Sequence, residues 1–267
     1  MSTRLPTFLL IGAARAGTTS IHHYLNQHAD VFLSPFKEPT YFEVAHRNGR
    51  PYPPSHPYAS ELVYTWERYL ELFENAGSAH AVGEASAGYL ASPQAPRAIF
   101  ERLPMVLILA VLRHPVDRAY SQFLMFQRMG IEPEAEFEAA LAAQQRRLEE
   151  GWLPYYQYTA MSMYGASLAR YYALFPRGHI RLFRYEDLCA DPSSFMRVLF
   201  ATIGVDPDRR VNTGARLNAA PRGDCEGGVP PADLPAGLRR SLMEPLRADI
   251  ALLERLSGQS FAEWLDE

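Results

Sequence analysis

Four stretches of the chain repeat one theme, a short apolar run, a turn, and then apolar residues at helical spacing. Phe8–Ile11 is apolar throughout, and Thr18–His28 sets Ile21, Tyr24, Leu25 and His28 on one helical face. Met105–Leu112 is an unbroken apolar run, the pattern of a central parallel strand buried on both faces. Beyond Arg113-His114-Pro115 a helix is expected from about Val116, with Asp117 in its first turn and Tyr120, Phe123 and Leu124 on one side. Ile180–Tyr185 predicts a third strand. Asp191-Pro192 then reads as an N-cap and first helical residue, ahead of a stripe of Phe195, Val198 and Leu199. Ala81–Glu84 is a shorter strand candidate. Strands alternating with helices predict an α/β fold of three layers, α/β/α, around a central, mainly parallel sheet, with ligands bound beyond the carboxyl ends of the strands. Arg15, Ser86, Arg113 and Tyr185 all fall at such ends.

Two further regions read as helical. Glu134–Glu150 is rich in Ala, Glu, Gln and Arg, which predicts a solvated charged face. Met161–Phe175 is amphipathic and is expected to pack on the sheet. Glu43–Ser60, rich in Pro and aromatic residues, and Arg209–Pro235 carry no sustained period and read as long loops, which in a compact domain are more often functional than accidental.

Composition narrows this picture by exclusion. The 267 residues are 48% hydrophobic and 21% charged, an ordinary globular balance. A net charge of −4 gives no reason to expect nucleic-acid binding, so any anion site must be local. Cys189 and Cys225 are the only cysteines, make no disulfide framework and lie in no metal-ligand spacing, so a reducing compartment and a cytoplasmic location are expected. The apolar start at Phe8–Ala14 is too short for a signal segment, and Met105–Leu112 too short to span a bilayer, so no integral membrane segment is expected.

The chemistry begins at Gly12-Ala13-Ala14-Arg15-Ala16-Gly17-Thr18-Thr19, which has the glycine spacing of a Walker A phosphate loop between a strand and a helix. Gly17 lets backbone N–H groups approach an anion, and the helix N-terminus adds its positive end. A nucleotide kinase places Lys where Thr18 stands, to reach the outer phosphates. Here the cation is Arg15, inside the loop, and the strand at Met105–Leu112 ends in Arg113 rather than in a metal-binding Asp. A kinase with a displaced cation is therefore the disfavoured alternative. A second anion motif follows. Arg113 closes one strand and Ser121 lies eight residues on, in the next helix, so a guanidinium fork and a hydroxyl can meet one anion. The competing reading makes Arg113 a partner for a carboxylate and Ser121 a small packing residue. Two anion motifs at two strand ends suit a ligand phosphorylated at two places.

Together these motifs resemble the two signatures of the sulfotransferase family, in its bacterial and carbohydrate-type members. Arg15-Ala16-Gly17-Thr18-Thr19 resembles the 5′-phosphosulfate loop, and Leu112-Arg113-His114-Pro115 through Tyr120-Ser121 the 3′-phosphate motif. In order along the chain, Lys37-Glu38-Pro39-Thr40-Tyr41-Phe42 is similar to the family's Lys-Glu-x-x-x-Phe segment. Gly83–Leu90, Tyr185–Leu188 with Asp191-Pro192, and Leu217–Arg222 resemble three later segments. The likeness runs from about Phe8 to about Leu265 and implies one P-loop-like sulfotransferase domain over residues 1–267.

The resemblance also implies a donor and roles. The donor is 3′-phosphoadenosine 5′-phosphosulfate, and adenosine 3′,5′-bisphosphate is the product. Arg15, Ala16, Gly17, Thr18, Thr19 and Ser20 are expected at the 5′-phosphate, with Arg113 and Ser121 at the 3′-phosphate. Tyr185 is expected near the adenine and Arg222 in the loop that closes over the cofactor. Glu38 matches the carboxylate base, with Arg15 its catalytic companion, and Ser86, His46 and His56 are candidates for the substrate side. No metal is implied. Two departures stand out: Arg15 replaces the Lys of many members, and Ala85 stands where glycosaminoglycan members often carry Lys, against a glycosaminoglycan acceptor. The expected acceptor is a small molecule or glycan offering a hydroxyl or amine, and an inactive nucleotide-binding relative is the non-catalytic alternative.

Overall fold

The computed structural model describes residues 4–44, 62–214 and 234–265. Five strands form one sheet: β1 (Phe8–Gly12), β2 (Val31–Leu33), β3 (Ala81–Ala85), β4 (Leu107–Leu112) and β5 (Ile180–Arg184). Their order is β2-β3-β1-β4-β5, and every pairing is parallel. β1 lies at the centre, with Leu9 opposite Glu84 on one side and Ile108 on the other. The apolar runs of β1 and β4 follow from this placement, because an inner parallel strand is covered on both faces. β5, at the edge, exposes Arg181 between buried Ile180 and Leu182.

The helices are α1 (Thr18–Leu25), α2 (Tyr41–Val44), α3 (Trp66–Glu71), α4 (Ala95–Arg102), α5 (Pro115–Arg128), α6 (Phe137–Ala142), α7 (Gln144–Glu149), α8 (Tyr164–Tyr172), α9 (Tyr185–Ala190), α10 (Pro192–Thr202) and α11 (Ala236–Ser257). They complete the expected three layers. α10 starts as its sequence predicts, with the Asp191 carboxylate accepting from the N–H groups of Ser193 and Ser194 at 3.0 Å. α11 caps a helix other than its own. Its buried Asp249 accepts from Gly165 N and Ala166 N at 2.7 Å each, satisfying the first turn of α8.

Two expectations need correction. Glu134–Glu150 is not one solvated helix but two short ones, and Arg147 is fully buried. Its guanidinium pairs with Glu132 and lies 5.0 Å above the Trp152 ring, in a satellite core with Phe126, Tyr156 and Tyr158. Trp152 and Tyr155 pack against the same cluster. Cys189 is disulfide-bonded, so it is no argument for a reducing compartment; Cys225 lies outside the described residues. Among the described residues no helix is long and apolar enough to cross a membrane.

Candidate active site

The site is built at the carboxyl ends of all five strands, and its two halves use opposite charge. The cationic half begins where β1 turns into α1. Gly17 is the N-cap of α1 at φ 79°, where a Cβ would fall 2.6 Å from Leu188 Cδ2 and 3.1 Å from Tyr185 Cε2. No side chain caps α1, and its first turn carries no acid. The positive end of that helix is therefore left for another anion. Arg15 stands at φ 71° in the same loop. Its Nε donates to Ser121 Oγ at 3.0 Å and its Nη1 to Met125 Sδ at 3.2 Å, so the loop after β1 and helix α5 share one polar contact.

Arg113, at the end of β4, is almost wholly buried. It donates to the Arg15 carbonyl at 3.2 Å and stacks its guanidinium 4.8 Å from the Tyr185 ring centre. Arg15, Ala16, Gly17, Thr18, Thr19 and Ser20 after β1, Arg113 and Ser121 after β4, and Tyr185 after β5 are thus gathered in one place. One member was not foreseen. Arg118, fully buried on α5, donates to Ser162 Oγ and the Tyr158 carbonyl at 2.7 Å each, while its Nη1 is enclosed with no hydrogen-bond partner. Burial pulls its pKa down to about 10, with Arg15 and Arg113 adding to the effect and Tyr164 opposing it. Three guanidinium groups thus act on one another, and an anion would relieve the repulsion. Glu186 is the nearby carboxylate. It accepts from His114 N at 3.1 Å, and burial raises its pKa.

The acidic half lies on β3 and on the loop after β2. Glu38 Oε2 accepts from Ala87 N at 2.8 Å, Glu38 N donates to the Ala85 carbonyl at 2.9 Å, and Lys37 pairs with the other carboxylate oxygen. Among the described residues the non-glycine positions at positive φ are Arg15, Glu38 (62°) and Thr40 (54°), all at these strand ends. Such conformations persist only where surrounding contacts hold them, and they gather at functional sites.

Two more carboxyls sit close by. Glu84 is fully buried on β3 and accepts from Ser86 Oγ at 2.7 Å and Tyr69 OH at 3.3 Å. Glu43, on α2, accepts from Tyr155 OH at 3.2 Å. Burial pushes each up to about 7, with the Glu38 charge adding to it and hydroxyl partners working against it. Neither Glu43 nor Glu84 was a sequence candidate. Glu84 falls inside a strand run, and Glu43 opens a loop-like stretch one residue past the Lys37–Phe42 motif, where nothing in the sequence singles out its carboxyl.

Ser86, a candidate for the substrate side, is wholly enclosed. Its hydroxyl donates to Glu84 and accepts from Thr40 N at 3.1 Å. His46, His56 and Arg222 lie outside the described residues. Among the described residues no group of three or more His, Cys, Asp or Glu is arranged to hold a metal ion.

The family model described as "Sulfotransferase family" matches residues 6–209. The chain is 30% identical over 216 residues to the bifunctional heparan sulfate N-deacetylase/N-sulfotransferase 2 of Bos taurus, covering 76% of this chain and 22% of that protein. The Mus musculus counterpart is 30% identical over 221 residues, with the same coverage. The chain therefore spans about a fifth of the length of these relatives. A solved sulfotransferase from Alicyclobacillus acidocaldarius superposes with a TM-score of 0.86 at 28% identity, covering 98% of this chain and 99% of that one. The sulfotransferase domain from the curacin biosynthetic pathway shares the fold, at 16% identity and a TM-score of 0.53 over 85% of this chain and 84% of that one.

Proposed function

The chain belongs to the sulfotransferase family, and from that premise we propose that it transfers a sulfuryl group from 3′-phosphoadenosine 5′-phosphosulfate to a hydroxyl or amine of a carbohydrate or related small acceptor. The observation that carries this reading is the meeting of Arg15, Arg113 and Ser121 at the ends of the adjacent strands β1 and β4. A ligand with one phosphate needs a single cradle; the pairing of two cradles suits a 3′,5′-bisphosphorylated nucleotide. The enclosed, unfilled donor of Arg118 supports the same fit.

The donor, when bound, supplies an activated sulfuryl group on its 5′-phosphate. The chain's part is positioning and charge neutralisation. Arg15 and the N–H groups at the start of α1 balance the charge that grows on the leaving 5′-phosphate. Arg113 and Ser121 hold the 3′-phosphate, and Tyr185, stacked on Arg113, orders the base side. Glu38 takes the proton of the acceptor as the new bond to sulfur forms and the sulfur–oxygen bond to the phosphate breaks. A positioned base of this kind is worth about 10²–10⁴-fold.

The relatives named for heparan sulfate suggest an amino-sugar acceptor. Ala85, which is buried here, and the acidic half of the site favour an acceptor less anionic than a glycosaminoglycan. The deciding experiment is transfer of labelled sulfate from the donor into an extract, followed by identification of the product. A labelled, Glu38-dependent product is expected. Absence of labelled product, together with equal affinity for adenosine diphosphate and adenosine 3′,5′-bisphosphate, would overturn the proposal.

A further inference from the structure

We infer that Glu84 is a positioning residue for Glu38, acting through Ser86 to hold the Lys37–Thr40 loop in its left-handed conformation over the end of β3. This rests on Glu38 being the base. The starting observation is a residue in the wrong place for stability alone. β3 is buried along its whole length, and an apolar side chain at position 84 would avoid the desolvation that a carboxyl suffers there. The groups acting on Glu84 are the hydroxyls of Ser86, Tyr89 and Tyr69 and the charge of Glu38, with no cation among them. It is thus no half of an ion pair, and its hydrogen bonds must account for its presence.

Those bonds lead to the base in two steps. Ser86 Oγ donates to Glu84 at 2.7 Å, which turns the hydroxyl lone pairs toward Thr40 N, received at 3.1 Å. The residues on either side of Ser86 grip Glu38 itself: Ala85 O accepts from Glu38 N at 2.9 Å, and Ala87 N donates to its carboxylate at 2.8 Å. Glu38 and Thr40, at φ 62° and 54°, are both non-glycine residues in the left-handed region. Each such residue is sterically strained, and a loop with two of them in three positions relaxes unless it is tied down. The Glu84–Ser86–Thr40 chain is the tie from below, and the Ala85 and Ala87 contacts aim the carboxylate.

The test is a double-mutant cycle on the full chain. Glu84→Gln keeps the shape of the side chain but puts an NH2 donor in place of one of its two acceptor oxygens. The hydroxyls of Ser86, Tyr69 and Tyr89 then no longer all find an acceptor, and the Ser86 rotor is released from its orientation toward Thr40. The expected effect is a fall of about 10- to 100-fold in kcat, the scale of a misplaced catalytic group. The Kd for adenosine 3′,5′-bisphosphate should not change. Ser86→Ala should give a similar fall. On a Glu38→Gln background neither substitution should lower the residual rate further, because both act through Glu38. Wild-type turnover in Glu84→Gln and Ser86→Ala, or additive losses on the Glu38→Gln background, would overturn the inference. A loss of kcat in step with bisphosphate affinity and melting temperature would do so too, by assigning Glu84 a merely structural role. If Glu84→Gln does not fold, Ser86→Ala alone decides by the same criteria. Full activity in Glu38→Gln would instead remove the base assignment, an outcome distinct from failure of the cycle.

Discussion

Arg15 and Ser121, 106 residues apart in the chain, meet at 3.0 Å between Nε and Oγ. The contact joins a loop donated by β1 to a helix that follows β4, and it exists because those strands are neighbours in the sheet. Neither motif alone distinguishes an anion with one phosphate from an anion with two.

The first prediction follows from that junction. Arg113→Ala should weaken adenosine 3′,5′-bisphosphate by about 10- to 100-fold, the scale of hydrogen bonds to charged groups, and adenosine 5′-monophosphate much less. Calorimetric titration with both ligands measures the difference. Equal losses would place Arg113 away from the 3′-phosphate.

Glu38→Gln should leave bisphosphate affinity unchanged while kcat falls about 10²–10⁴-fold. Single-turnover assays with the labelled donor, beside calorimetry, separate the two quantities. Retained turnover would point to another base, and Glu43, raised to about 7 by burial, is the next to test.

Gly17→Ala should lower stability by about 1–2 kcal/mol, because φ is 79° and the added Cβ presses on Leu188 and Tyr185. Since Tyr185 carries the Arg113 guanidinium on its face, bisphosphate affinity should fall with it. Urea denaturation and calorimetry on one preparation test both halves of this expectation.

The buried carboxyls give a pH prediction. Glu84 is raised from 4.5 to about 7, so it holds its proton more tightly in the folded chain than in the unfolded one. Its contribution to stability is therefore complete below pH about 4.5 and is lost as pH rises through about 7, to an extent of about 3 kcal/mol. Glu84→Gln cannot ionise. Relative to that variant, the wild-type chain should lose on the order of 3 kcal/mol between pH 5 and pH 8, read from urea unfolding at the two pH values. A constant difference between them would show that Glu84 titrates normally.

Much of this fold was legible from apolar runs and punctuation. β1, β4 and β5 lie within a residue or two of their predicted spans, since continuous apolar runs ending at Gly12 and Arg113 mark the first two and Ile180, Leu182 and Phe183, set among arginines, mark the third. β2 was missed because three residues at a sheet edge make no period. α9 begins at Tyr185 directly after β5, with no turn residue to announce it, and α11 runs through Pro245, a residue that argues against a helix on paper. The cationic half of the site was legible because its residues are clustered in two short motifs. The acidic half was not. Thr40 and Ser86 are 46 residues apart, and Glu38 and Ala87 are 49 apart, so the network exists only once β2 and β3 are side by side. Arg147 was misjudged for a related reason, because its partner Glu132 lies outside the helix that carries it.

The strand order β2-β3-β1-β4-β5 divides labour across the sheet. Everything assigned to the nucleotide hangs from β1, β4 and β5, and everything assigned to the proton hangs from β2 and β3. The seam between them runs between two neighbouring strands, β3 and β1, so the chain behaves as a fixed power socket with an interchangeable tool. Under the proposed roles, sequence changes confined to the β2–β3 half are expected to alter acceptor and proton transfer while nucleotide affinity stays as it is. A new acceptor preference would then have to be introduced around Glu38 and Thr40 while the Ser86 and Ala87 contacts that hold them are kept.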